Sequence, residues 1–184
     1  MARKVYVDLG ANHGHTVRRF KAENPAFITF AFEPTPSLAD KLRRDFKAHD
    51  SNVHVMEYAA WITDGIVNFY FGTASDQSST VLTGKKSSPN WSVDYEAPYR
   101  AQSIDLDRWL RENTSDDDLL VLKMDIEGAE YKVLKRLLDT GMLKRIIDLR
   151  VEWHWNRYPL EITEHEHNEI RNAVAAVTKL TDWE

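Results

Sequence analysis

The chain is predicted to fold as a Rossmann-like α/β domain built on a mainly parallel, doubly wound sheet. Three stretches carry that prediction. Val5 to Phe20 (VYVDLGANHGHTVRRF) runs from an apolar strand into Asp8, a glycine turn and a helical pattern. Ile28 to Pro34 (ITFAFEP) is a second buried-looking strand ending in an acid, and Leu119 to Glu130 (LLVLKMDIEGAE) a third ending in acids and glycine. Strands that deliver polar residues at their carboxyl ends place one crevice at the top of a parallel sheet.

The elements follow in order. Val5 to Leu9 is the first strand, and the helix after it runs from about Gly14 to Ala22, stopping before Asn24-Pro25. The loop between them lacks the dinucleotide fingerprint G-x-G-x-x-G, which would put glycine where this chain has Asn12 and His15. Ile28 to Glu33 is the second strand, and Glu33 lies near the roughly 20-residue interval at which such folds present a carboxylate to ribose hydroxyls. Pro34 to Ser37 makes a stiff turn, with Ser37 capping a helix from Leu38 to His49. Val53 to Ala59 is a third strand, followed by an Asp64-Gly65 turn and an alternating strand, Val67 to Phe71.

From Gly72 to Arg100 periodicity dissolves into Ser, Thr, Pro, Asn and Lys, yet Trp91, Tyr95 and Tyr99 are too many aromatics for a plain linker. This stretch is read as an acceptor-binding excursion within a single domain, 1–184. Gln102 to Ile104 is a short strand, and Asp105 starts a helix to about Glu112. Asp116-Asp117-Asp118 is read as a solvated acidic turn. Ala129 to Asp139 is an amphipathic helix closed by Gly141, and Ile146 to Val151 is a strand that ends in Glu152-Trp153-His154-Trp155. The last helix spans about Ile162 to Val177, with Glu164-His165-Glu166-His167 read as its exposed surface.

VDLGANHGHT, AFEPTP, LKMDIEGAEYKVL and LRVEWH, in that order between Val5 and His154, resemble the FkbM family of S-adenosylmethionine-dependent methyltransferases. The resemblance implies a class I methyltransferase fold and, most often, O-methylation of a hydroxyl on a sugar or small metabolite. Such a sheet usually adds an antiparallel pair after its fifth strand. Little chain remains for that pair, so the sheet is expected to be trimmed at its C-terminal edge. The resemblance also assigns S-adenosylmethionine to this crevice. Asp8, Gly10, Asn12 and Gly14 would surround its amino-acid portion, Glu33 would hold its ribose with Pro34 alongside, and Ala60 would lie against its adenine.

The acceptor side is read from three residues. Asp125, at the end of its strand, is a general base or the ligand of a divalent metal. Glu152 and His154 share a strand face on the same side, and imidazole has an ordinary pKa suited to proton removal near neutrality. Glu127 and Glu130 have a sufficient structural reason in the helix dipole.

Composition narrows the alternatives. A chain of 184 residues with 42% hydrophobic and 29% charged residues suits one soluble globular domain. No apolar run approaches the roughly 18 residues that span a bilayer, and the short lead MARKVYVD leaves no room for a signal peptide, so a cytoplasmic site is expected. Zero cysteines exclude disulfides, thiol chemistry and cysteine-ligated zinc. A net charge of −5 argues against nucleic acid, leaving a small-molecule or carbohydrate acceptor as the expected partner. A non-catalytic binding module that keeps the fold is the competing reading, and a dinucleotide oxidoreductase, disfavoured by Asn12, is a weaker third.

Overall fold

A computed structural model describes residues 2–47, 50–73, 78–87 and 92–183. Its regular elements are β1 (Lys4–Leu9), α1 (His15–Glu23), β2 (Ile28–Phe32), α2 (Pro36–Lys47), β3 (Val53–Met56), β4 (Ala59–Trp61), β5 (Gly65–Phe69), β6 (Tyr99–Asp105), α3 (Leu106–Asn113), β7 (Leu119–Met124), α4 (Glu130–Asp139), β8 (Ile146–Val151), α5 (Glu164–Ala175) and β9 (Leu180–Asp182). Six strands form the main sheet in the order β3-β2-β1-β7-β8-β9, and every pairing in it is parallel. β4, β5 and β6 form a separate small sheet.

Alternate residues of the central strands bury into opposite layers, as a sheet covered on both faces requires. Val5, Val7 and Leu9 of β1 join Leu106 and Leu110 of α3 and Val133, Leu134 and Leu137 of α4 in the largest core. On the other face Ala31 packs with Val17 of α1 and Leu42 and Phe46 of α2, and Tyr6 and Val121 pack with Phe20. The sheet is therefore doubly wound, as the pattern of the sequence predicts. None of the described helices is long and apolar enough to cross a membrane.

Several details differ from expectation. The strand expected over Val53 to Ala59 divides into β3 and β4, which belong to different sheets. α2 opens at Pro36, a residue preset for the first helical position, so Ser37 lies inside the first turn. The expected end of that helix at His49, and Trp91 of the excursion, lie outside the described residues. At the C-terminal edge, the sheet gains a short parallel strand, β9, which carries too little alternation to be read in advance. α5 begins behind Thr163, whose hydroxyl and Glu166 carboxylate make a reciprocal capping box.

The acidic turn is only partly solvated. Asp118 is buried and accepts bonds from Arg3 Nη2 at 2.5 Å, Arg3 N at 3.1 Å and Ser115 N at 2.9 Å. It ties the start of β1 to the start of β7. Bonding to Arg3, against the opposing effect of burial, holds this carboxyl well below the usual carboxylate range. Its contribution is thus complete above the unfolded pKa, about 3.9, and fades as pH falls below it toward the lower folded value. Asp118→Asn is predicted to lower unfolding free energy at pH 7 by about 1 to 2 kcal/mol. The gap from wild type should narrow as denaturant titrations are repeated below pH 4.

Candidate active site

Strand order reverses between β1 and β7, and the loops leaving these neighbours diverge to open a crevice there. The backbone at its floor is tightly fixed. Gly10 and Ala11 donate their N–H groups to Phe32 O (3.1 and 2.9 Å), and Asp125 N donates to Leu9 O (3.1 Å). Gly10 takes φ +80°, and a Cβ there would lie 1.9 Å from the Asp125 carbonyl oxygen. No other residue fits that position. Asn12 adopts φ +47°, so asparagine fills a left-handed position that the fingerprint would give to glycine.

Beneath this floor lies Lys123, which is 1% exposed. Its ammonium is 3.3 Å from Asp8 Oδ1 and 3.2 Å from Asp125 Oδ2, and it donates to Gly10 O at 3.1 Å. Burial works to lower its pKa, but Asp8 and Asp125 outweigh that and raise it. Sequence reasoning passed over this residue. Its signal was present: a lone lysine inside the apolar strand LLVLKM.

The crevice is a cavity of about 430 Å³. Of the residues expected at the site, Gly10, Asn12, Glu33, Pro34, Ala60, Asp125 and Glu152 line it. Glu33 is held firmly, accepting Asn12 N at Oε2 (2.9 Å) and Thr35 N at Oε1 (2.8 Å). His13 and His15 also reach the wall, as do Ser78, Ser79 and Val81 of the excursion.

Three expected residues stand behind the wall. Asp8 is fully buried, where its Oδ2 accepts from Thr16 Oγ1 (2.5 Å) and Tyr6 OH (3.1 Å). It is a foundation for the loop and for Lys123, one layer behind the residues that line the cavity. Gly14 packs against α2, where a Cβ would meet Leu42 at 2.6 Å. His154 is also fully buried.

The acceptor end is a cluster of carboxylates with few cations. His154 Nδ1 is 2.6 Å from Glu130 Oε1, while Nε2 faces Glu152 Oε1 (3.3 Å), Glu127 Oε2 (3.6 Å) and Asp125 Oδ1 (3.8 Å). Burial opposes the charged imidazole, but Glu130, Glu152 and Glu127 prevail and push its pKa up to about 10. His154 is therefore not the near-neutral base expected from its residue type. Contact with His154 holds Glu152 below its usual range against the effect of burial. Burial pushes Asp125 up, opposed by Lys123 and reinforced by Glu152.

Glu127 is the other residue underrated from sequence. It adopts φ +53° just before Gly128, a rare backbone for a long side chain. Its carbonyl accepts Thr80 Oγ1 (2.8 Å) and Tyr158 OH (2.5 Å), and its carboxylate binds Lys85 Nζ (2.6 Å) and Arg157 Nη1 (3.0 Å). Lys85 comes from the excursion and Arg157 from a short 3₁₀ turn, Trp155–Arg157, and neither carries a local motif. Among the aromatics, Tyr95 of the excursion accepts Lys85 N at its hydroxyl (2.9 Å), and Trp155 stacks on His167 with ring centroids 5.5 Å apart. His167 is itself buried, with Nδ1 2.9 Å from Tyr131 OH, so this part of α5 is not the exposed surface expected.

A family profile for the methyltransferase FkbM domain matches residues 8–179. The chain belongs to the FkbM methyltransferase family. Two curated relatives agree with that placement. The 2-O-methyltransferase NoeI of Sinorhizobium fredii (strain NGR234) is 28% identical over 138 residues, covering 71% of this chain and 56% of that protein. Methyltransferase 1 of Beauveria bassiana is 28% identical over 144 residues, covering 72% and 58%. The chain spans little more than half the length of these relatives. No solved structure gave a significant match.

In this FkbM domain, removing Lys123 strands Asp8 without its cation in a fully buried place. Lys123→Met is predicted to cost about 3 to 5 kcal/mol in denaturant unfolding. Adding Asp8→Asn should recover part of that loss, because the stranded charge goes with it.

Proposed function

We propose that this domain transfers a methyl group from S-adenosylmethionine to a hydroxyl oxygen of a carbohydrate or other small metabolite. One observation carries the reading: Glu33 at the end of β2, and Asp125 and Glu152 past the ends of β7 and β8, face a single cavity across the switch point.

The residues fit that cofactor. The cavity has the volume of a small-molecule site, its floor is bare backbone at Gly10, and two backbone N–H groups hold the Glu33 carboxylate at the cavity wall, which supports its reading as the ribose acceptor. Ala60 and Pro34 supply the apolar wall for a base. Bound there, the cofactor supplies a methyl group on a positive sulfur, already activated for transfer. The protein then has to orient the acceptor and remove its proton.

Asp125 is the better base of the two carboxylates on the wall, because its pKa is raised and that of Glu152 is lowered. His154 and Glu130 act behind them as positioning residues. The excursion lies over the cavity through Ser78, Ser79 and Val81 and is pinned to Glu127 by Thr80 and Lys85, an arrangement suited to excluding water from the transfer. If a divalent metal sits at Asp125, that carboxylate orients the hydroxyl in place of taking its proton.

Calorimetric titrations with S-adenosylmethionine, S-adenosylhomocysteine and NAD test the reading. Micromolar binding of both adenosyl ligands and none of NAD is expected. Asp125→Asn should abolish turnover and leave cofactor affinity within a few-fold. NAD binding, or loss of cofactor affinity in that variant, would sink the assignment.

A further inference from the structure

We propose that Asp125, Glu127 and the Nε2 atom of His154 form a site for one divalent first-row transition metal ion at the acceptor end of the cavity. The binding stands on its own geometry. The ion's role, as a Lewis acid for an oxygen nucleophile, rests on the methyl-transfer reading.

The three donor atoms lie within 4.8 Å of one another. Metal bonds of about 2.0 to 2.2 Å bring ligand atoms to roughly 3 Å, so Nε2 contacts of 3.6 and 3.8 Å require only small side-chain shifts. Asp125 and Glu127 both line the cavity, which leaves the remaining coordination positions open toward it.

The independent observation is His154. It is fully buried, and its Nε2 has no hydrogen-bond partner among the described residues. The nearest carboxylate atom, Glu152 Oε1 at 3.3 Å, pairs with it only while the ring is charged, and the neutral ring that a metal takes would turn a lone pair toward the carboxylates. The opposite nitrogen is held 2.6 Å from Glu130 Oε1, and that oxygen is fixed in turn by Ile126 N at 3.1 Å. A carboxylate that orients an imidazole so that its other nitrogen points at a shared centre is the usual support of a metal-bound histidine.

Charge leads to the same place. A metal ion takes the neutral imidazole and so displaces the proton that the carboxylates otherwise hold on His154. With the ring neutral, five carboxylates (Asp8, Asp125, Glu127, Glu130, Glu152) among the described residues meet three cations in direct contact (Lys85, Lys123, Arg157), a difference that a divalent ion would balance. One imidazole with carboxylates and no sulfur suits Mn²⁺, Fe²⁺ or Zn²⁺ better than Mg²⁺ or a cuprous ion.

The test is Mn²⁺ titration of the whole chain without cofactor, followed by electron paramagnetic resonance. One ion per chain is expected, with electron spin-echo modulation from a single imidazole nitrogen. Asp125→Asn, at a half-buried position on the cavity wall, should weaken binding at least about tenfold, and His165→Gln should leave it unchanged. The absence of stoichiometric binding, or binding without nitrogen modulation, overturns the site. S-adenosylmethionine binding without Mn²⁺ defeats only this inference. Mn²⁺ binding without S-adenosylmethionine defeats only the methyl-transfer reading.

Discussion

The buried ammonium of Lys123 is the interaction on which the crevice depends. Two strands run side by side with acids at or just past their carboxyl ends, Asp8 on β1 and Asp125 beyond β7. Alone, two carboxylates so placed would repel each other in a medium that solvates them poorly. Lys123 sits against both and also takes the carbonyl of Gly10, so it neutralises the acids and holds the turn that makes the floor. Because that floor has no side chain at Gly10, the β1 loop can lie directly against the backbone at Asp125. A ligand can then approach main chain from above while the charge beneath stays balanced.

The same balance explains why the expected residues separate into two layers. Glu33, Asp125 and Glu152 reach the cavity, whereas Asp8 and His154 are buried one layer below and set the positions of what lies above. Asp8 fixes Thr16 and Lys123, and His154 is oriented by Glu130 toward three carboxylates. Their removal would disturb the site through packing and charge more than through lost contact with a substrate.

Much of this was legible in the sequence, for identifiable reasons. Strands that are buried on both faces read as apolar runs, and their polar termini mark the crevice, so β1, β2 and β7 with Asp8, Glu33 and Asp125 stood out. β9 did not, because a three-residue edge strand has no period to detect. Residue type predicted a near-neutral base at His154, but its protonation depends on Glu130, Glu152 and Glu127, which only the fold assembles. Lys85 and Arg157 were beyond reach for the same reason. They meet Glu127 from 42 and 30 residues away. His167 was misplaced because helical spacing alone does not disclose that α5 presses that position onto Tyr131 and Trp155.

The most direct test of the account is a crystal structure of this chain with S-adenosylhomocysteine. The ribose is predicted to lie on Glu33, the adenine by Ala60, and the sulfur on the side of the cavity bearing Asp125 and Glu152. A ligand seated elsewhere, or one whose sulfur points away from those carboxylates, would contradict the account.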